Sequence, residues 1–315
     1  MQSQAFIQAL LNKDYPAVKS VAKSDLHNHG MLGYRRSVLQ NHSVKIIVPP
    51  PTRFKAFDDF EKYLDLTFEP FLKQKDFFEL AIKNSFLQAR SDGVELLQMS
   101  IDSRFYNYFS EEHIVETVSR VHKEYAPDVT FFPQLGMDRT HNFTKLMNEA
   151  ERLLDTGFFR SIDLYGNEMY GSIDAFIPLY RKAKNMGLVL TAHAGEYGNP
   201  ESVRSAAEKL ELQQIQHGIS AAESPEVMKW LAKNKIVLNI CPSSNVILCR
   251  AESVKKHPIR KLFDQGIRVS LNTDDLFVFD QSVSDEYLNL YNKEVFKPEE
   301  LEQIRQCGME AFDLI

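Results

Sequence analysis

The sequence predicts an α/β chain folded as a (β/α)8 TIM-type barrel with a long helical lid insertion after the first strand. Three observations predict it. Short apolar runs rich in β-branched residues occur eight times, and most are followed by a longer segment of helical period. Polar residues capable of chemistry gather at the C-terminal ends of these runs, where a barrel builds its site. The rival doubly wound sheet wants a Gly-rich phosphate turn after its first strand, but the first run here ends in His27-Asn28-His29.

In chain order, residues 3–12 read as a short amphipathic helix packed on the outside. The strands are expected at 22–27, 93–102, 128–137, 158–166, 188–195, 213–218, 235–241 and 267–273. Helical patterns fall at 111–125, 143–156, 173–185, 200–209, 224–234 and 259–265. Ser224-Pro225 reads as an N-cap followed by proline at the first helical position. Gly157, Gly187 and Gly266 each stand where a left-handed C-cap is wanted before a strand. Pro298 followed by Glu299, Glu300 and Glu302 reads as a proline-started helix with acids in its first turn.

About 65 residues separate the first two strands, far more than a βα loop needs. This insertion, about 30–92, carries Pro49-Pro50-Pro51 and then Phe54, Phe57, Phe60, Tyr63, Phe68 and Phe71. Two readings stay open: an apolar lid over the barrel mouth, or an extra helical layer beside the barrel. No low-complexity tract or linker divides the chain, so residues 1–315 are expected to be a single domain.

Composition excludes several classes. The 315 residues carry 37 Lys+Arg against 43 Asp+Glu, a net charge of −6 that attracts neither nucleic acid nor an anionic membrane. Three cysteines, Cys241, Cys249 and Cys307, make no disulfide scaffold and fit a reducing cytosol. The N-terminus lacks a basic n-region, and no window is apolar enough to span a bilayer. A cytoplasmic location is expected, with the oligomeric state open.

Four of the nine histidines lie at proposed strand ends. His27 and His29, two apart on a strand, share one face. His193 ends the fifth strand with Glu196 three residues on, His217 ends the sixth, and Asp274-Asp275 follow the eighth. Imidazoles with a carboxylate suit Zn²⁺ as a nitrogen and oxygen donor set. His42, His113, His122, His141 and His257 read as surface histidines. Cys241 reads as a small buried hydrophobe, and Ser243 and Ser244 as turn formers; no Gly-x-Ser-x-Gly elbow supports a serine hydrolase.

Six motifs occur together: Asp25-Leu26-His27-Asn28-His29, Asp163-Leu164-Tyr165-Gly166, His193-Ala194-Gly195-Glu196, His217-Gly218, Cys241-Pro242-Ser243-Ser244-Asn245 and Ser270-Leu271-Asn272-Thr273-Asp274-Asp275. On these the sequence resembles the adenosine deaminase family of metal-dependent amidohydrolase barrels. The resemblance implies hydrolytic deamination of an aminopurine, adenosine or deoxyadenosine, with one Zn²⁺ per chain. His27, His29, His193 and Asp274 would be the metal ligands. Glu196 would protonate or hydrogen-bond the purine N1, and His217 would orient or deprotonate the attacking water. Asp275 would hydrogen-bond N7, the Gly166 N–H would meet N3, and His29 also belongs with the substrate-binding groups.

Two departures bear on the substrate. Met31 stands where the family carries an acidic or amide side chain near the ribose, and a thioether cannot make that hydrogen bond. Either the substrate lacks a ribose, or Tyr34, Arg35 or Arg36 takes over the contact. Gln216 replaces the glycine common before the His-Gly pair. The competing expectations are a deaminase of adenine or of a modified adenine base or nucleoside, and a zinc-binding relative without catalysis.

Overall fold

The computed structural model describes residues 2–43, 46–68 and 70–312. Eight parallel strands form one sheet in sequence order: β1 (Lys23–His29), β2 (Val94–Asp102), β3 (Thr130–Asp138), β4 (Ser161–Tyr165), β5 (Val189–Ala194), β6 (Gln214–His217), β7 (Val237–Ile240) and β8 (Arg268–Leu271). Every neighbouring pair is parallel, the βα alternation that the periodicity predicts.

The seam between β8 and β1 is held by few contacts. A single parallel bridge joins Asn28 and Asp274, and the Leu26 N–H donates to Asn272 Oδ1 at 2.7 Å. Asp25 reinforces it, accepting from the Thr273 hydroxyl at 2.6 Å and from Asn28 Nδ2 at 3.0 Å. Outside, the helix Pro298–Met309 packs across both β8 and β1. Its Gly308 permits that approach, since a Cβ there would overlap the Ser24 hydroxyl.

Along the strands, Leu190, Ile215, Leu238 and Val269 join the main apolar core with the outer helices. The alternate positions carry a polar layer. Gln134 donates to Thr191, Asn239 to Gln214, and Ser270 to Asn239, all buried. These bonds satisfy part of the layer's polar groups, while Gln214 Nε2 and both polar atoms of Gln98 are buried without a partner.

Helix punctuation follows the sequence. Ser224 caps Pro225–Lys233 by accepting from the Val227 N–H. Gly157, Gly187 and Gly266 take φ of 68°, 78° and 75°. Gln2–Leu11 is helical as expected. The pattern at 173–185 divides into a 3₁₀ turn, Ile173–Phe176, and an α-helix started by Pro178, Ile177–Asn185. Most strands are shorter than expected, whereas β1 runs on through His29. Strand pairing stops where the chain turns into the mouth, as at His217, whose φ is 64°.

The insertion holds the helices Arg36–His42, Phe57–Phe68 and Lys75–Ser91. The last packs on β2 and on the helix Glu111–Tyr125, so it is the barrel's own first outer helix. Phe54, Phe60, Phe68 and Phe77 form a second apolar cluster with Tyr34, Phe277 and Phe279. Among the described residues no helix is long and apolar enough to cross a membrane.

Candidate metal centre and active site

A cavity of about 280 Å³ opens at the C-terminal ends of the strands. His29, Gly166, His193, Glu196, His217, Asp274 and Asp275 all line it. His27 lies directly beneath, its ring centroid 4.7 Å from that of His193 and 4.6 Å from that of His217. All the residues expected from the sequence therefore meet at one place.

Backbone geometry aims two of them. His217 and Asp274 both take left-handed conformations, with φ of 64° and 57°. Such conformations cost of order 1–3 kcal/mol in a non-glycine residue and persist where the surroundings enforce them. Asp274 Oδ1 then lies 3.5 Å from His27 Nε2 and 3.6 Å from His29 Nε2. The donor atoms of His27, His29 and Asp274 lie within 4.8 Å of one another, as do those of His27, His193 and His217.

This donor set fits a divalent ion. The Nδ1 of His27 faces the Asn239 carbonyl at 3.4 Å, leaving a buried Nε2 with no hydrogen-bond partner. Burial, then the His193 charge, lowers the His27 pKa to about 3. Burial lowers that of His29 to about 4. Both rings are therefore neutral, as a ligand must be. His193 turns Nδ1 to Asp163 Oδ2 at 3.1 Å, the carboxylate–histidine arrangement that orients a ligating imidazole. Cys241 Sγ lies 3.4 Å from His27 Nδ1, and burial pushes its thiol well above the usual range, so it offers no thiolate.

Burial disfavours the charged form of the carboxyls beside this cluster. Burial, followed by the charges of Asp274 and Glu168, raises Glu196 well above the usual carboxyl range. Burial and Asp274 do the same to Asp275. His217 Nε2 lies 3.6 Å from Glu196 Oε1 and 3.9 Å from Asp274 Oδ2.

Several supporting residues escape a sequence reading. Ser244, expected as a turn former, lies in the first turn of the helix Pro242–Ile247 and donates to Asp274 Oδ2 at 2.6 Å. Glu168 accepts from three successive N–H groups, Gly195, Glu196 and Tyr197, at 2.6, 2.7 and 2.8 Å. His257, expected at the surface, is 3% exposed and bonds Asn245, which bonds His217. His141 is exposed, but at the cavity rim, 3.5 Å from Asp138. The Asp163 signal was available, two positions before Tyr165 on a strand; His257 left none, because only the fold brings it to Asn245.

The residues weighed around Met31 separate. Met31 lines the cavity, and none of Tyr34, Arg35 and Arg36 does. Tyr34 is buried edge-on against Phe277, Arg35 pairs with Asp280 and Asp285, and Arg36 stands beside Tyr63. The polar lining comes instead from Glu61, Asp65, Asp102, Arg104, Asp138 and His141. Arg104 is paired with Asp102 at 2.6 Å, and the Tyr165 hydroxyl donates to the same carboxylate. Phe57, Phe60 and Leu64 supply apolar lining from the insertion.

The family model described as adenosine deaminase matches residues 40–312. A Treponema pallidum (strain Nichols) protein with the provisional name adenosine/adenine deaminase is 31% identical, over 86% of this chain and 92% of that one. The adenine deaminase of Arthrobacter aurescens superposes with a TM-score of 0.80 at 21% identity, covering 93% of each chain. A Burkholderia ambifaria amidohydrolase with bound Zn also superposes at 0.80, with 17% identity, over 93% of this chain and 86% of that one.

Proposed function

Because the chain belongs to the adenosine deaminase family, we propose that it is a zinc-dependent hydrolase converting adenosine or deoxyadenosine to the 6-oxo nucleoside and ammonia. The observation that carries this reading is Glu196, a carboxyl kept neutral by burial beside a cluster of imidazoles and Asp274.

His27, His29, His193 and Asp274 would hold the ion, one per chain. Three imidazoles and a carboxylate are a Zn²⁺ donor set, and the Zn-containing neighbour supports that choice. Bound there, it would supply hydroxide at neutral pH, since Zn²⁺ lowers the pKa of water to about 7.

The chain's own groups account for the rest. Addition of the hydroxide oxygen at C6 breaks the ring's aromaticity and places the electron pair on N1. Neutral Glu196 donates its proton there, which relieves that charge. Loss of the amine, with a proton, as ammonia then leaves the 6-oxo ring. Asp275 would hydrogen-bond N7, and burial with the Asp274 charge favours its neutral, donating form. The Gly166 N–H would meet N3, and both Gly166 and His29 line the cavity. His217 faces both Glu196 and Asp274 and orients the attacking water. Phe57, Phe60 and Leu64 act as an apolar lid that keeps other water away.

Purified protein incubated with adenosine, deoxyadenosine, adenine and AMP should release ammonia from at least one nucleoside. No ammonia from any aminopurine overturns the reading. Metal analysis should find about one Zn²⁺ per chain.

Met31 favours a second reading, a deaminase of adenine or of a modified adenine base or nucleoside, because the cavity has no hydrogen-bonding side chain at that position. A free base turned over faster than its nucleoside selects this reading.

A further inference from the structure

His217 leaves one question about its role: whether its inward nitrogen carries a hydrogen or a lone pair. The answer lies outside the cavity, in a chain of buried groups that begins at a backbone N–H. Ile259 opens the helix Ile259–Asp264, so its N–H has no acceptor within the helix. It donates instead to Nδ1 of His257, at 3.1 Å. The polarity of a backbone N–H is fixed, so Nδ1 of His257 must be the acceptor nitrogen. His257 is fully buried, and burial lowers its pKa to about 3, so the ring is neutral. Its hydrogen therefore sits on Nε2.

That Nε2–H faces Asn245 Oδ1 at 3.2 Å. The amide is thereby oriented, because the reverse placement would set two N–H groups against each other. Asn245 Nδ2 then lies 3.1 Å from Nδ1 of His217. An amide NH₂ can only donate, so Nδ1 of His217 is an acceptor and its hydrogen is on Nε2. On the cavity side, Nε2 faces carboxyl oxygens of Glu196 and Asp274, at 3.6 and 3.9 Å.

We infer that Asn245 and His257 are positioning residues that lock His217 as the Nε2–H tautomer, so that His217 donates a hydrogen bond to the attacking oxygen and does not accept its proton. The inference rests on the proposed function for the statement that His217 faces the reacting centre. The tautomer itself is independent of turnover.

Long-range ¹H–¹⁵N correlation spectra of the full chain, labelled at histidine, read the tautomer directly. His217 is assigned by the loss of its signals in His217→Asn. In the native protein both His217 and His257 should show an unprotonated Nδ1 and a protonated Nε2. In Asn245→Asp the new carboxylate only accepts, so Nδ1 of His217 should become protonated, with kcat falling about 10–100-fold and KM little changed. His257→Leu should lower kcat in the same way, while His257→Gln, which retains an N–H donor, should recover most of it. A protonated Nδ1 on His217 in the native protein, or no change of tautomer in Asn245→Asp, overturns the inference. The expected spectra without ammonia release from any aminopurine would overturn the proposed function and leave the relay standing.

Discussion

The backbone N–H of Asp274 donates to the carbonyl of His27 at 2.8 Å, while the Asp274 carboxylate lies 3.5 Å from Nε2 of the same histidine. The two residues thus close the barrel and form part of the candidate metal centre at once. Among the described residues the seam has one β-bridge, so whatever binds the two side chains also clamps β1 to the turn after β8.

Metal removal should therefore destabilise the fold. An ion present at about 1,000 times its dissociation constant contributes about 4 kcal/mol. For a chain of this size that is a shift in Tm on the order of 10 °C. Calorimetry with and without a strong chelator checks it, and Asp274→Asn should abolish the difference. An unchanged Tm after chelation would show that the ion does not bridge the seam.

Ser244 holds Asp274 from the other side, donating to Oδ2 at 2.6 Å. Losing a partner that orients a ligand typically costs 10–100-fold in metal affinity. Ser244→Ala should weaken Zn²⁺ binding by about that factor, measured by competition with a chromophoric chelator, with little change in secondary structure.

In the proposed mechanism Glu196 is the acid, so its raised pKa sets the sign of the pH dependence. Below that pKa the proton is present; as pH rises through it the proton is lost and kcat should fall. Glu196→Gln cannot donate a proton to N1. It should lower kcat by about 10²–10⁴-fold while still binding metal, as judged by steady-state kinetics beside metal analysis.

Glu286 offers a test of stability without chemistry. It is fully buried, and burial raises its pKa to about 8, although Oε1 accepts from the Ser243 N–H at 2.9 Å. A carboxyl whose folded pKa is raised contributes stability that is complete below the ordinary carboxyl pKa and is lost as pH rises through the folded value. Stability should fall between about pH 4.5 and pH 8. Glu286→Gln should flatten this decline, so its Tm should exceed that of the native chain at pH 8 but not at pH 5.

The outer cavity disfavours phosphate. Glu61, Asp65, Asp102 and Asp138 surround it, and Arg104 is already paired with Asp102. Placing like charges together across an interface costs several kcal/mol. AMP should therefore have a kcat/KM at least about tenfold below that of adenosine. Equal values would show that the phosphate points elsewhere.

Much of this molecule is legible in its sequence. Strand–helix alternation announces the barrel because parallel strands require crossover helices, and Ser224-Pro225 and Gly187 mark element ends through local backbone chemistry. His27, His29, His193, His217, Glu196 and Asp274 stand out because each lies at a strand end, and one barrel sends all such ends to one face. Local rules stop there. His257 looks like a surface histidine until the chain folds, since its contact with Asn245 depends on how the helix Ile259–Asp264 packs. Glu168 meets the Gly195–Tyr197 backbone across 27 or more residues, and no short-range pattern announces such a contact. That none of Tyr34, Arg35 and Arg36 lines the cavity beside Met31 is likewise beyond sequence, because the cavity wall is assembled from segments far apart in the chain. The sequence determined the barrel and the residue types at its mouth, through periodicity and spacing. Only the tertiary structure decided their protonation states, tautomers and partners, because burial and hydrogen bonding are properties of the packed neighbourhood.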